Sequence, residues 1–356
     1  MTSMTTTTPT RQVAFAGIDT HKATHHVAVV DRDGAVLADR QFTTDLAGCR
    51  ALTAWLSHWD IHEIGIEQTG TYGAALARLL AGHGYRVLEI NQPDLVVRAR
   101  QGKSDPIDAV MAAQAARTGR ARVIAKDRTG LIEAIRMLTI ARHSALKARS
   151  AALTQLGDLT ITLDPALRER LGTSNRQIMA ASLRLRADHA RLDDPAQAAK
   201  MALHSIARRI RDLDTEITAL DTELATLVTQ TAPRLLERPQ VGTHAAAQLL
   251  ITAGQNPDRI HHEAAFARLV GVAPIPASSG TTTRMRLHRG GDRQANKTIH
   301  MIAIGRLKNH QPAIDYLTRR TTEGMTKKDT IRAMKRLITR ELYGALKADL
   351  KTLDQL

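Results

Sequence analysis

The chain has 356 residues and is strongly basic, with 50 lysines and arginines against 35 aspartates and glutamates. Its length allows two or three domains, and its net charge of +15 favours a nucleic-acid partner. The single cysteine, Cys49, excludes an internal disulfide or a zinc site built from several thiolates. Because no long apolar run, signal peptide or amphipathic anchor is recognisable, we expect no membrane partner and a cytoplasmic location.

The N-terminal part of the chain predicts a mixed α/β domain over residues 11–122, after a Thr-rich start at residues 1–10 that we expect to be disordered. The predicted elements are a strand ending at Asp19, a hairpin of Val27–Val30 and Ala35–Phe42, a helix near 46–56, strand Ile64–Glu67, helix Tyr72–Leu80, strand Arg86–Ile90 and helices within Pro93–Arg117. Three meandering strands followed by alternating helices and strands resemble the ribonuclease-H-like plan.

Four acids lie at the ends of these elements. Asp19 and Glu67 close two buried strands, and Asp105 and Asp108 share one face at the start of a helix because they are three residues apart. In the ribonuclease-H-like plan these positions meet at one edge of the sheet. Converging carboxylates repel one another and are best explained by a hard divalent cation, Mg²⁺ or Mn²⁺. One or two such ions would support phosphoryl transfer.

Each acid also has a simpler interpretation. A carboxylate at a strand end is usually a solvated loop residue or a helix cap. Asp105 in particular suits the first turn of a helix, with Ser104 as its N-cap. The argument for a metal site therefore depends on the order of all four acids along one fold.

The middle of the chain, residues 123–231, is predicted to be helical. Its apolar positions alternate in steps of three and four, which is typical of a coiled coil. These positions are Leu203, Ile206, Ile210, Leu213, Ile217, Leu220, Leu224 and Leu227. The pattern predicts a homo-oligomer, a dimer or a tetramer. The alternative is a helix that packs inside its own domain.

The C-terminal part, residues 232–356, is predicted to be a mainly helical basic domain. From Arg284 to Arg340 there are 15 lysines and arginines against four acids, a pattern that predicts contacts with phosphate groups. The candidate nucleic-acid contacts are Arg284, Arg286, Arg289, Arg293, Arg332, Lys335 and Arg336.

A loop rich in serine, threonine and glycine precedes this basic segment. Ser278 and Ser279 stand before Gly280, and Arg284 and Arg286 follow at alternating positions. A serine beside guanidinium groups can act as a nucleophile on a phosphate, although such loops are more often solvated connections.

Several short motifs, taken together and in order, resemble a known family. They are Gly17-Ile18-Asp19, Glu67-Gln68-Thr69-Gly70-Thr71-Tyr72, Lys103-Ser104-Asp105-Pro106-Ile107-Asp108-Ala109, Gly271-Val272-Ala273-Pro274, Ser279-Gly280 and Arg289-Gly290-Gly291-Asp292. The chain resembles the DEDD transposases of bacterial insertion sequences (the 110/116/902-like family), in which a RuvC-like domain precedes a serine-bearing transposase domain. The resemblance covers almost the whole chain after residue 10. Gln68 replaces a residue that is often small in the family.

The resemblance implies a DNA recombinase. In the family the four acids bind divalent metal, and a serine before the glycine of the back motif attacks a DNA phosphodiester. That role falls on Ser279, with Ser278 as the alternative. The family implies a composite site shared between subunits. It also implies a structured guide RNA, encoded by the element, that pairs with donor and target DNA. A bacterial, nucleoid-associated location follows from these partners.

Two functions of other classes also fit the residues. A stand-alone structure-specific nuclease would need the four acids but not Ser279. A non-catalytic regulator that binds nucleic acid and dimerises through the coiled coil would need neither. A covalent protein–DNA adduct separates the first from a recombinase, and metal-dependent strand cleavage excludes the second.

Overall fold

The computed structural model describes residues 11–90, 104–256, 259–278 and 285–353. The chain divides into two compact units. The first contains residues up to 130 together with 253–265, and the second contains 131–252 and 266–355. The domain boundaries expected near 122 and 231 stay predictions. Within the described ranges, no helix combines the length and apolar character needed to cross a membrane.

The first unit is built on a five-stranded sheet. Its elements are β1 (Val13–Thr20), β2 (Thr24–Asp31), β3 (Val36–Thr43), α1 (Leu46–Leu56), β4 (Asp60–Glu67), α2 (Ala74–Gly82), β5 (Val87–Ile90) and α3 (Asp105–Arg117). The strand order is β3-β2-β1-β4-β5, with an antiparallel meander of β1 to β3 and parallel pairing of β1, β4 and β5. This α/β arrangement agrees with the order predicted from the sequence. The predicted helical residues 93–103 lie outside the described residues.

The meander and the core follow from local sequence. The Asp31 carboxylate accepts hydrogen bonds from the backbone N–H groups of the next turn, including Gly34, whose φ of +94° favours glycine. The branched side chains of Ile18, Ile64 and Ile66 on the central strands are fully buried. Burial on both faces explains the continuous apolar runs of β1 and β4.

Residues 253–265 pack onto the first unit although they are distant in sequence. The Arg259 guanidinium lies 3.1 Å from Glu89 Oε2 and donates to the backbone oxygen of Ile124. The Asn256 side-chain amide donates to the backbone oxygen of Ala125 at 2.9 Å. The Arg259 side chain is only 4% exposed, so this contact is a buried, hydrogen-bonded ion pair.

The second unit is mainly helical. Its elements, including those that cross the unit boundary, are α4 (Gly130–Ile161), α5 (Pro165–Leu171), α6 (Asn175–Ser182), a short 3₁₀ turn (His189–Arg191), α7 (Pro195–Thr231), α8 (Pro233–Leu236), α9 (Thr243–Ala253), α10 (Glu263–Leu269), β6 (Pro274–Pro276), β7 (Met285–Leu287), α11 (Arg293–Asn309), α12 (Gln311–Thr322) and α13 (Lys327–Leu353). The strands β6 and β7 form an antiparallel pair.

Helix α7 buries half of its heptad pattern inside the second unit. Leu203, Ile210 and Leu224 are fully buried, and the first two pack in one cluster with residues of α4, α5 and α6. The other half of the pattern, including Leu213 and Leu220, is half-buried. Ion pairs between α4 and α7, one of them Arg142 with Asp221, flank the contact. Packing within the chain thus accounts for part of the pattern, and self-association through α7 stays a prediction.

Candidate functional site

Two of the four acids lie side by side on neighbouring strands. The parallel register of β1 and β4 pairs Ile18 with Ile66, so the next residues, Asp19 and Glu67, end adjacent strands at one edge of the sheet. Thr20 Oγ1 donates to the Glu67 backbone oxygen at 3.0 Å and holds the two strand ends together. Asp19 is only 4% exposed. The strand order inferred from the sequence therefore places this pair correctly.

Helix α3 brings the other two acids to the same edge, and glycines make its approach possible. A Cβ atom added at Gly17 would lie 2.1 Å from the backbone oxygen of Ala109, and one at Gly65 would lie 2.5 Å from that of Ala112. Both distances are far below contact, so only glycine lets α3 lie this close to the strands. Because side chains alternate along a strand, Gly17 shares a face with Asp19.

The first turn of α3 supplies Asp105 and Asp108. Asp108 is 2% exposed, whereas the side chain of Asp105 is nearly half exposed. Ser104 takes the N-cap position but makes no side-chain hydrogen bond to the helix. The Ser104 hydroxyl therefore does not cap the helix, although we considered that role from the sequence.

His21 is a further residue at this edge that our sequence analysis missed. Its Nε2 atom lies 3.1 Å from Asp19 Oδ2 and 3.2 Å from Asp105 Oδ1, and so bridges β1 and α3. The signal was present in the sequence, because alternation along an extended segment places residue 21 on the same side as residue 19.

The electrostatics of this edge favour a cation. Burial raises the pKa of the Asp19 carboxyl above its usual value, and the neighbouring Asp108 and Asp105 raise it further, while His21 opposes the shift. Within the described ranges, ligand atoms of Asp19, His21 and Asp105 all lie within 4.8 Å of one another. Carboxylate oxygens with one imidazole nitrogen form a donor set that fits a hard or borderline divalent cation.

The candidate nucleophile belongs to the connection between β6 and β7. Ser278 is exposed just after β6. Ser279 and Arg284 lie outside the described residues, so their roles stay predictions. This connection starts after β6 and ends at β7, and the two strands are held together by backbone pairing that includes Ile275 with Arg286.

The described basic candidates differ in their surroundings. Arg286, Arg289 and Arg293 are exposed. Lys335 Nζ donates to Asn296 Oδ1 at 2.7 Å, and burial, followed by the nearby arginine at 332, lowers the pKa of Lys335. Burial also lowers the pKa of Arg336. The exposed arginines are therefore better placed for phosphate than Lys335.

Comparisons with known proteins show which family the chain is similar to. A transposase family model matches residues 16–160, and a model of the transposase IS116/IS110/IS902 family matches residues 232–318. An uncharacterised 42 kDa protein of insertion element IS900 from Mycobacterium paratuberculosis is 24% identical over 385 aligned positions, covering 94% of this chain and 96% of the relative. A mini-circle protein of Streptomyces coelicolor, named as a transposase for IS117, is 30% identical over 220 positions, covering 57% of this chain and 52% of the relative.

The α/β unit with its acidic edge and the two matched segments define a transposase, an enzyme that acts on DNA. More specifically, the chain belongs to the IS116/IS110/IS902 family of insertion-sequence transposases.

Proposed function

We propose that this transposase cleaves and rejoins DNA strands by metal-dependent phosphoryl transfer through a serine–DNA intermediate. The observation that carries the proposal is the convergence of Asp19 and Asp105 on one imidazole nitrogen, beside the strand end at Glu67. These residues come from three separate elements, and a solvated surface would not require them to meet.

In this proposal Asp19, Glu67, Asp105 and Asp108 hold Mg²⁺ or Mn²⁺. The bound ion would supply a positive charge that stabilises the phosphoryl group as charge develops on it. The burial of Asp19 supports this assignment, because burial raises the pKa of its carboxyl and a bound cation would favour the charged form. The exposed side of Asp105 leaves an approach for a phosphodiester.

Ser279 is proposed as the nucleophile. Its hydroxyl oxygen forms a bond to phosphorus, the bond from phosphorus to the bridging deoxyribose oxygen breaks, and that oxygen leaves as a hydroxyl group. The new phosphoserine ester keeps the bond energy of the phosphodiester, so strands can be rejoined without ATP. The position of Ser279 beyond Ser278, in the connection from β6 to β7, supports the role together with the family resemblance.

The proposed partners are donor and target DNA, a structured guide RNA and further copies of the chain. The excess of basic residues from Arg284 to Arg340 supports nucleic-acid binding. A guide RNA would supply sequence choice, because the sequence shows no obvious base-reading motif. The half-buried face of α7, with Leu213 and Leu220, is the proposed contact between copies.

A trapping experiment tests the chemistry. DNA carrying the element junctions is incubated with the chain and Mg²⁺, and covalent adducts are mapped by mass spectrometry. We expect the adduct on Ser279, its loss in Ser279→Ala, and its retention in the neighbour control Ser278→Ala. Asp108→Asn should lower cleavage about a thousandfold, the loss expected when several kcal/mol of charge stabilisation is removed. Asp33→Asn, in the exposed turn of the same unit, is the matched control and should cleave normally.

The same assay decides between functions. Strand cleavage without an adduct would assign the chain to the hydrolytic nucleases. The absence of any metal-dependent cleavage would leave a binding regulator. Sequencing of RNA that copurifies with the chain tests the guide, and a random collection of RNAs would refute it.

Sedimentation tests the assembly. Changing Leu213 and Leu220 together to Asp should convert an oligomer into monomers that still bind nucleic acid weakly. Leu203→Ala should instead lower the unfolding free energy by about 2–5 kcal/mol without changing the mass, because Leu203 is buried inside the unit.

A further inference from the structure

The antiparallel pair β6–β7 has one face that is partly apolar and partly basic. The register places Ile275 opposite Arg286, and directly paired residues share a face. Side chains alternate between the two faces of a strand. Ala277, two residues after Ile275, and His288, two residues after Arg286, are therefore predicted to share this face. Two apolar side chains, one guanidinium and one imidazole are thus brought to one side of the hairpin.

This face forms a wall of a cavity of about 820 Å³. We call this cavity the hairpin pocket. It is lined by Ile275, Ala277, Met285, Arg286, His288, Arg289 and Arg332. The volume falls in the range of about 300–1,000 Å³ that is usual for small-molecule sites. Among the described lining residues there are three guanidinium groups and no acid.

One side chain of the pocket is fixed by an ion pair, and another is exposed. Arg332 Nη1 donates to Asp329 Oδ1 at 2.6 Å, an ion pair across one turn of α13 that fixes the direction of the guanidinium. Met285, which also lines the pocket, is 56% exposed.

His288 adds an observation that points to a ligand. Its Nδ1 atom is buried and has no hydrogen-bond partner in the part of the chain that the structure describes. Its ring lies beside Gly290, where an added Cβ would be 3.2 Å from Nε2. A buried polar atom without a partner is costly, and a bound molecule that completes the hydrogen bond would remove this cost.

We propose that the hairpin pocket binds one unpaired nucleotide of the DNA strand. Its phosphate lies against the guanidinium groups of Arg289 and Arg332, its base lies against the apolar side chains of Ile275 and Ala277, and His288 Nδ1 hydrogen-bonds to the base or sugar. Guanidinium groups bind phosphate oxygens in paired hydrogen bonds, and they also stack on the faces of bases.

The mixed lining explains why the occupant is an unpaired nucleotide rather than a duplex backbone. A surface that contacts only phosphates needs charge alone, and apolar side chains or a buried imidazole atom would add nothing to it. A base inside a duplex is stacked and paired, so it reaches an apolar wall only after it has left the stack. The choice of DNA rests on the proposed function, since the hairpin also leads into the connection that contains Ser279.

Binding to two DNA probes tests the pocket without any cleavage. One probe is a short intact duplex, and the other is the same duplex with a single unpaired thymidine. Affinities for the full-length chain are measured by fluorescence anisotropy without divalent metal. We expect the unpaired probe to bind about tenfold more tightly, the effect of roughly one buried hydrogen bond to a charged group.

Variants localise this preference. Arg332→Gln, His288→Ala and Ile275→Ser should each bring the two affinities close together. Arg340→Gln is the matched control, because it removes one charge from an exposed position on the same helix and should weaken both probes equally. Circular dichroism of each variant checks that the fold is kept.

Two kinds of result would contradict this proposal. A preference that persists in the three pocket variants, or that Arg340→Gln also abolishes, would refute the pocket. An RNA duplex with the same unpaired nucleotide that binds as tightly as the DNA probe would refute the choice of DNA. Because the assay uses neither Ser279 nor a metal, failure of the proposed cleavage chemistry leaves its outcome unchanged.

Discussion

Asp19 lies on the central strand of a five-stranded sheet, whereas Ser278 follows a strand of three residues, two of which are prolines without an N–H group. Strands on both sides form hydrogen bonds to β1, and α3 packs closely over Gly17. Several independent contacts therefore fix the position of Asp19. The β6–β7 pair has three residue pairs and largely exposed side chains. Many contacts of the sheet therefore position the acids, whereas the described strands on either side of the candidate nucleophile are joined by three residue pairs.

The strongest test of this contrast is Gly17→Ala. The added methyl group would lie 2.1 Å from backbone atoms of Ala109 and Ala113, so α3 must move away from β1. We expect the free energy of unfolding in urea to fall by about 3 kcal/mol or more. Gly82→Ala, in the same unit with open space around it, should change stability by less than about 1 kcal/mol. Equal stability of both variants would contradict the close packing of α3.

A second prediction concerns His21, which bridges Asp19 and Asp105. We expect His21→Gln to weaken Mn²⁺ binding about tenfold, a loss in the usual range for groups that orient metal ligands. Calorimetric titration measures this without DNA. The control is His58→Gln, since the His58 ring hydrogen-bonds to the backbone oxygen of Trp55 rather than to one of the four acids, and it should not affect metal binding. Unchanged Mn²⁺ affinity in His21→Gln would show that His21 is dispensable to the site.

The pH dependence of stability tests whether the Asp19 carboxyl is buried in the folded sheet. The folded state raises the pKa of Asp19, mainly by burial, so it binds this proton more tightly than the unfolded chain does. Stability from this group is present at low pH and is lost as the pH rises through the folded-state pKa. We therefore expect metal-free Asp19→Asn to have a higher Tm than the unaltered chain at neutral pH, with the difference vanishing in acid. Mg²⁺ should raise the Tm of the unaltered chain only.

The smallest expected effect lies in the basic region. Arg289→Gln should lower the slope of log Kd against log salt by about 0.9, the value for one phosphate contact on duplex DNA. Lys335→Gln should change the slope less, because its ammonium group is already bonded to Asn296. If Lys335→Gln changed the slope more than Arg289→Gln, exposure would be a poor guide to phosphate contact here.

The strand order and the meeting of the acids could be predicted because they depend on local patterns. Apolar runs define β1 and β4, and a parallel pairing of their ends brings Asp19 beside Glu67. His21 was missed because alternation shows only that it shares a side with Asp19, while its contact with Asp105 depends on where α3 packs. The close approach at Gly17 and Gly65 could not be predicted, because it arises from a helix about fifty to ninety residues away.

Other features could not be predicted because they depend on contacts distant in sequence. The heptad pattern of α7 shows that one face is apolar, but not whether that face meets another copy or, as for Leu203 and Ile210, the helices α4 to α6. Likewise, nothing near Arg259 in sequence indicates that its partner is Glu89. In neither case does the local sequence identify the partner.

The ion pair between Arg259 and Glu89 also has a consequence for how the chain is made. The first unit contains residues up to 130 and residues 253–265, so the polypeptide leaves this unit and returns to it. During synthesis the sheet emerges from the ribosome before Arg259 exists to pair with Glu89, and more than a hundred further residues must be translated before that pair can form. A nascent chain stalled before Arg259, or a gene product truncated there, carries the acids on a sheet that still lacks its last packed segment.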